Sequence, residues 1–465
     1  MNHLKSILFI VIIASISFSC RKESFITAKE ARLLTSVDSL AFDTVFVNSG
    51  SVTKSFKIFN NNDQKLLLSS VKLSGGDSSA FKINIDGTAA AEVRDIEINP
   101  NDSIYVFVQI NVNPTNNRLP FIVKDSIEIA FNGNQKFVQL QGYGQNAVFL
   151  KNATLKGNVT WTNSLPYVIL GGVRIDTNAV LKVSAGTKIF LHADAAFIVD
   201  GTLIASGSKE NRIIFSGDRT DPDYKDLPAI WPGIYFRNVS KNNSLKYAII
   251  KNAYQGIIAQ QPSASSVPQL ILSQSVIENI FDAGILAINT NISADNCLVS
   301  NCGSNINIVL GGKYRFVNCT VASFGNFYIN HNNPVLQIAD FLNQDGINYT
   351  APLNAFFQNC LFWGEGNSVD DEIIVRKAGS GAISVTFDHV LYKAKNSIAE
   401  ARFISSVINE DPQFDSIDVS NNFFDFHITK STSSPAINAG TKTSFLYDLD
   451  GKLRDASPDI GCYEK

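Results

Sequence analysis

The chain has 465 residues, 45% of them apolar, which excludes a disordered polypeptide and leaves room for two or three packed domains. Its formal net charge of −3, without any run of Lys or Arg, excludes the electrostatic footprint of a nucleic-acid binder. Only 17% of residues are charged and a single Met occurs, while Ile, Val, Phe, Thr, Asn and Ser abound, so the composition predicts an all-β protein.

The N-terminus opens with a short polar stretch containing Lys5, followed by a mostly apolar run from Ile7 to Ile16 and small residues up to Cys20. This is the layout of a secretory signal over residues 1–19, too short to span a bilayer. Ser17-Phe18-Ser19-Cys20 resembles a bacterial lipobox, although Ser17 stands where that motif prefers Leu. The resemblance implies a lipidated Cys20 that holds the protein to the cell envelope, with the outer membrane expected and its face left open; an ordinary cleaved signal is the alternative. Residues 20–38 then read as a tether, with a helical turn expected at Ala28 to Leu34.

From residue 39 to 147, alternating runs such as Leu40-Ala41-Phe42-Asp43-Thr44-Val45-Phe46 and Ser103-Ile104-Tyr105-Val106-Phe107-Val108 are separated by turn clusters, among them Asn60-Asn61-Asn62-Asp63 and Asn99-Pro100-Asn101-Asp102. That rhythm predicts a β-sandwich of about seven strands. Phe42-Asp43-Thr44-Val45, Phe59-Asn60-Asn61, Ser79-Ala80-Phe81 and Leu140-Gln141-Gly142-Tyr143-Gly144 resemble the immunoglobulin-like domains of cilia and centrosome proteins and of bacterial surface proteins. The resemblance implies a spacer or interaction role without chemistry.

From residue 148 to 410 a short unit repeats. Small residues return at Ala248, Ser275, Cys297, Cys319, Cys360 and Val390, and the steps 275 to 297 and 297 to 319 are 22 residues each. Three positions earlier stand Leu245, Leu272, Ala294, Phe316, Phe357 and Phe387; two positions later, Ile250, Ile277, Val299, Val321, Phe362 and Tyr392. Just before each small residue is a polar or planar one: Tyr247, Gln274, Asn296, Asn318, Asn359, His389. A unit this short buries its apolar face only by stacking on its neighbours, which predicts a solenoid of parallel coils. The longer steps from Cys319 to Cys360 and on to Val390 predict bulging loops. Ala179-Val180-Leu181-Lys182-Val183, Phe197-Ile198-Val199-Asp200-Gly201 and the Asn-Cys rungs resemble right-handed parallel β-helix proteins of the pectin-lyase-like kind. Asp411-Pro412, Ser434-Pro435-Ala436-Ile437-Asn438-Ala439-Gly440 and Pro458-Asp459-Ile460-Gly461-Cys462 resemble the closing segment of secreted β-helices, so residues 411–465 are expected to supply closing rungs and a cap.

Cys297, Cys319 and Cys360 share one column position, so with Cys302 and Cys462 they read as small buried apolar residues; a Cys297–Cys302 disulfide is the alternative. The β-helix resemblance implies polysaccharide lyases, which need clustered carboxylates, often with Ca²⁺, and a base. Asp370, Asp371 and Glu372 beside Arg376 and Lys377 have the right residue types, against the ordinary reading of a solvated loop. Asp448 and Asp450, near Arg454, Asp455 and Asp459, resemble part of a calcium loop lacking its later ligands; the alternative has these carboxylates bonding turn amides. The lone histidines, His389 among them, read as structural. Trp161, Trp231, Tyr235 and Tyr392 read as core, and Trp363 as exposed and able to stack on sugar. Three functions stay open: a membrane-tethered rod that binds or adheres to a glycan or a surface protein without turnover, a polysaccharide lyase or related enzyme acting on uronate-containing glycans, and a purely structural role.

Overall fold

The computed structural model describes residues 24–46, 53–112, 121–221, 224–260, 267–366, 368–430 and 432–465. The signal segment and Cys20 lie outside the described residues. The chain divides into two compact units, 1–146 and 147–465.

The first unit is a β-sandwich of ten strands. They are β1 (Leu33–Thr35), β2 (Ser39–Phe46), β3 (Lys54–Asn60), β4 (Leu66–Leu73), β5 (Phe81–Ile85), β6 (Thr88–Ala89), β7 (Glu92–Ile98), β8 (Ser103–Ile110), β9 (Phe121–Phe131) and β10 (Asn134–Gln145). One sheet runs β1-β3-β8-β5-β6 and the other β2-β10-β9-β4-β7. The pairs are antiparallel except β2 with β10, which is parallel. Alternation explains the core: Ile104, Val106, Val108 and Ile110 of β8 point inward and are buried, while Tyr105 and Phe107 point out. Phe42 meets Phe81 across the sheets at 5.8 Å between ring centroids.

The expected tether is in part built into this sandwich. Leu33–Thr35 pairs with β3, Ala31 and Leu33 are buried, and Asn132 Nδ2 donates to the carbonyls of Ile26 and Ala28. The apolar residues read as one helical turn instead alternate as a strand, because an open edge of β3 offers them backbone partners.

The second unit is a parallel β-helix with three ladders. The first carries Asn243–Lys246, Leu270–Ser273, the end of Ala283–Asp295, the end of Ser304–Val317, Leu353–Gln358 and Ile383–Asp388. The second carries Ala248–Lys251, Val276–Glu278, Leu298–Ser300, Thr320–Ser323, Leu361–Gly364 and Leu391–Tyr392. The third carries Ile234–Phe236, Ile257–Gln260 and their successors to Ile373–Arg376.

The repeat columns of the sequence are registers of these ladders. Leu245, Leu272, Ala294, Phe316, Phe357 and Phe387 pair in succession along the first, and Ile250 through Tyr392 along the second. The planar residue before each small one has a backbone reason: Tyr247, Gln274, Asn296, Asn318, Asn359 and His389 all have φ between 48° and 53°. This left-handed turn swings the chain from one ladder to the next, and Asn tolerates it best among residues with a Cβ. The long step after Cys319 holds a protruding hairpin, Phe341–Gln344 with Ile347–Thr350. All five cysteines from Cys297 to Cys462 are free and buried, and burial pushes the Cys302 thiol up to about 12.

Residues 411–465 continue past the last rung of the second ladder and pack on its Val407 through Ile428, Ala436 and Ile460. Among the described residues, none of them pairs with the last rung of the second ladder, Val407–Ile408. The segment runs back as a strap over the outer face of that ladder: Gly461 N donates to Asn359 O, Cys462 N to Thr320 Oγ1, and Arg212 donates to Leu449 O. It covers Leu298, Ala322, Leu361, Trp363 and Leu391 with Phe426, Ile428, Ala436, Leu449 and Ile460. Hydrophobic burial dictates this course, since the short strands there are apolar on both faces. Trp363, expected outside, is therefore buried at 6% exposure.

Candidate ligand clefts beside the strap

The acidic segment 370–377 does not converge into a site. Asp371 accepts bonds from the Lys395 and Asn396 amides at 2.7 and 2.8 Å, and Asp370 lies 3.3 Å from Lys395 Nζ in full solvent. Glu372 points the other way into the protein, fully buried, with Oε1 2.9 Å from His331 Nε2 and Oε2 accepting from Val335 N. Arg376 ends a strand of the third ladder, with its carbonyl accepting from Asp340 N, and Lys377 follows it; neither forms an ion pair among the described residues. Loop bracing thus uses the carboxylates that a catalytic or Ca²⁺ role would need.

Asp448 and Asp450 are likewise committed. Asp448, 1% exposed, accepts from the amides of Asp450, Lys452 and Glu464. Asp450 lies 3.0 Å from His427 Nε2 and 3.3 Å from an Arg212 nitrogen. Among the described residues no group of three or more His, Cys, Asp or Glu side chains is arranged to hold a metal. Asp448 thus bonds backbone amides, whereas Asp450 bonds the side chains of His427 and Arg212.

His427 fastens the strap. Its Nδ1 is 2.5 Å from Asp425 and its ring stacks on Tyr463 at 3.7 Å. The bond to Asp450, opposed by burial and aided by Asp425, raises its pKa to about 9. A pKa above the unfolded value of about 6.5 stabilises the folded strap fully below that pH and is lost as pH rises through about 9. Protease sensitivity of the strap is therefore expected to increase between about pH 7 and pH 10 in the native protein. The increase should be missing in His427→Gln, as fragment mapping on gels would show.

Two clefts flank the strap. The larger, about 350 Å³, lies between the row Lys246, Ser273 and Asp295 and the strap residues Phe445, Leu446 and Tyr447. Burial pushes the Asp295 carboxyl up to about 6 against the bond from Ser273 Oγ at 2.7 Å. Tyr447 and Leu446 stand more than half exposed at its mouth.

The other cleft, about 240 Å³, holds Glu278 beneath Phe423 and Phe424 of the strap, with Lys251 and Asp226 at its sides. Glu278 occupies the outward column Lys251, Glu278, Ser300, Ala322, Trp363. Its wall is an asparagine ladder: Asn279 Nδ2 donates to Asn252 Oδ1 at 2.9 Å and Asn326 Nδ2 to Asn279 Oδ1 at 2.8 Å. Among the described residues the Glu278 side chain has no hydrogen bond or ion pair of its own. Burial raises its pKa, Lys251 opposes the rise and Asp226 adds to it. The arrangement offers a partly desolvated carboxyl, fixed amides and an aromatic face to a small hydroxylated group.

No family model matches this chain, and no curated protein does. Among solved structures, the catalytic domain of a family 87 α-1,3-glucanase in complex with nigerose shares 10% identity over 78% of this chain and 89% of that one, with a TM-score of 0.18. A family 123 glycoside hydrolase from Clostridium perfringens shares 13% identity over 25% of this chain and 26% of its own, with a TM-score of 0.18. The CooA pilin subunit of enterotoxigenic Escherichia coli shares 13% over 24% of this chain and 96% of its own, with a TM-score of 0.19. At TM-scores this low the likenesses carry no functional information.

Glu278 was not legible beforehand, since nothing in Val276-Ile277-Glu278 sets it apart from Lys251 or Ser300 in the same column. The strap left one signal: Leu298-Val299 and Leu361-Phe362-Trp363 are apolar at both parities, which in a two-sided strand means that both faces are covered.

Proposed function

We propose that this protein is a saccharide-binding β-helix, held at the cell envelope through Cys20, that takes a sugar residue of a glycan chain in the Glu278 cleft. The carrying observation is the Glu278 carboxyl, without a hydrogen bond or ion pair among the described residues, between an amide ladder and the Phe423 and Phe424 rings. A carboxyl accepts from sugar hydroxyls, amides give and accept, and an aromatic face takes the apolar side of a pyranose ring. Binding without turnover suits a cleft in which the segment 370–377 contributes no side chain.

Affinity electrophoresis in gels containing single polysaccharides, neutral and uronate, tests this. Retention by at least one glycan should weaken about tenfold in Glu278→Gln, the loss expected for one charge-assisted hydrogen bond, and also in Phe423→Ala. Retention untouched by both variants would remove the cleft from the function. Release of reducing or unsaturated ends that stops in Glu278→Gln would replace binding by catalysis. In cell fractionation, Cys20→Ser should move the protein from membrane to soluble fractions; continued membrane association would sink the anchor.

A further inference from the structure

A second surface lies on the sandwich. Tyr105 and Phe107 follow each other on the outer face of β8, 44% and 41% exposed, with ring centroids 5.7 Å apart and planes within 16°. Outward neighbours across the sheet are Lys57 opposite Tyr105, and Ser55 and Asn84 opposite Phe107. Lys82 stands opposite Gln109, whose side-chain amide donates to Thr53 Oγ1 at 2.6 Å. A hollow of about 510 Å³ opens beside Phe107, floored by Ile83 and Ala89 and edged by Lys82, Asn84 and Gln109. Lys57 Nζ sits 4.6 Å above the Tyr105 ring. Neither Lys57 nor Lys82 has a carboxylate partner among the described residues.

Exposed aromatic rings in the middle of a sheet gain nothing for the core, whose packing comes from the opposite side of β8. The two stacked rings, with the Lys57 ammonium over Tyr105, make an exposed apolar ridge, and the amides and ammonium groups beside it supply bonds to a sugar's substituents. Lys57 and Lys82, without a carboxylate partner among the described residues, favour negative charge beside the rings.

We propose that the outer face of β8 is an additional saccharide site, specific for an anionic polysaccharide, with Tyr105 and Phe107 as its stacking platform and Lys57 and Lys82 as its charge contacts. It is independent of the Glu278 cleft. A chain with two such sites would hold an anionic glycan on the sandwich while the β-helix takes another residue or another chain, and linked sites gain avidity from effective concentration.

The test is affinity electrophoresis of the whole chain in polygalacturonate and, separately, in neutral dextran. Polygalacturonate should retard the native protein and dextran should retard it less. Phe107→Ala is expected to weaken polygalacturonate retention about tenfold, and Lys57→Glu with Lys82→Glu should abolish it. Lys82 and Phe107 are exposed and Lys57 is half-buried, so the thermal midpoint serves as a check that each variant is folded. Rising salt should reduce retention. Equal retention by dextran, or retention that survives both the Phe107 and the lysine variants, would overturn the proposal. So would sedimentation showing a dimer that Phe107→Ala dissociates, which would make this face a contact between copies.

Discussion

Phe357→Ala is expected to destabilise the β-helix by about 3–5 kcal/mol, the range for an emptied aromatic core position. Phe316, Phe357, Phe387 and Phe403 form a continuous stack inside successive rungs, with centroids 5.3, 4.9 and 4.7 Å apart and planes within 17°. Phe357 is fully buried and also meets Phe362 edge-on at 5.6 Å. Parallel rungs in register leave no other side chain to refill the space, and a solenoid is held together by these nearest-neighbour interfaces, so one truncation weakens the rungs above and below at once. Denaturant unfolding followed by the fluorescence of Trp161, Trp231 and Trp363, all buried, reads the loss. Thr386→Ala, on the outward side of the next rung, is the control and should shift stability by less than about 0.5 kcal/mol. Equal effects in the two variants would show that the stack does not hold the coil.

Arg454→Ala should be as costly, and more local. Arg454 donates to Glu464 at 3.0 Å, to Asn296 Oδ1 at 3.0 Å and to the Gly461 carbonyl at 2.8 Å, with the two charged side chains only 3% and 5% exposed. Removing one member of a buried pair strands the other and costs about 3–5 kcal/mol. Burial already raises the Glu464 pKa, so the abandoned carboxyl would take up a proton more readily. The expected result is a strap that proteases cut within 411–465 while the coil stays resistant. Restoration of resistance by Arg454→Met combined with Glu464→Met, but not by either alone, would mark the pair as the cause. A single variant as resistant as the native chain would show that apolar packing alone holds the strap.

The β-helix was readable because coils of one length put the same chemical problem at the same place every turn. Phe357 must stack on Phe316, and Asn318 must make the same left-handed bend as Asn296, so the repetition is written into the residue types. The strap was not readable in this way. Its contacts join residues such as Arg212 and Asp450, 238 positions apart, and Phe414, Phe424 and Phe426 recur with no period. Trp363 was misplaced for that reason: its column also holds Lys251, Glu278 and Ser300, and nothing in the column itself tells that Ile428, Ala436 and Ile460 return to cover Trp363. The carboxylates near the C-terminus were half legible, as turn-bonding groups in Asp448, but their nearness to His427 depends on the same long return. Glu278 acquires its character from Phe423 and Phe424, which approach from far along the chain. The short ridge of Tyr105 and Phe107 lay in plain view as alternation, and only the direction of β8 decides which parity faces water.

A chain emerging vectorially, from a ribosome or through a translocation pore, would finish its coils before the strap existed. Until residues 411–465 arrive, the outer side of the second ladder would present Leu298, Leu361, Trp363 and Leu391 to water as a continuous oily stripe. Docking of the strap thus acts as a checkpoint: a copy with the strap in place hides the stripe, whereas a copy without it keeps the stripe on display for chaperones and quality-control proteases to find.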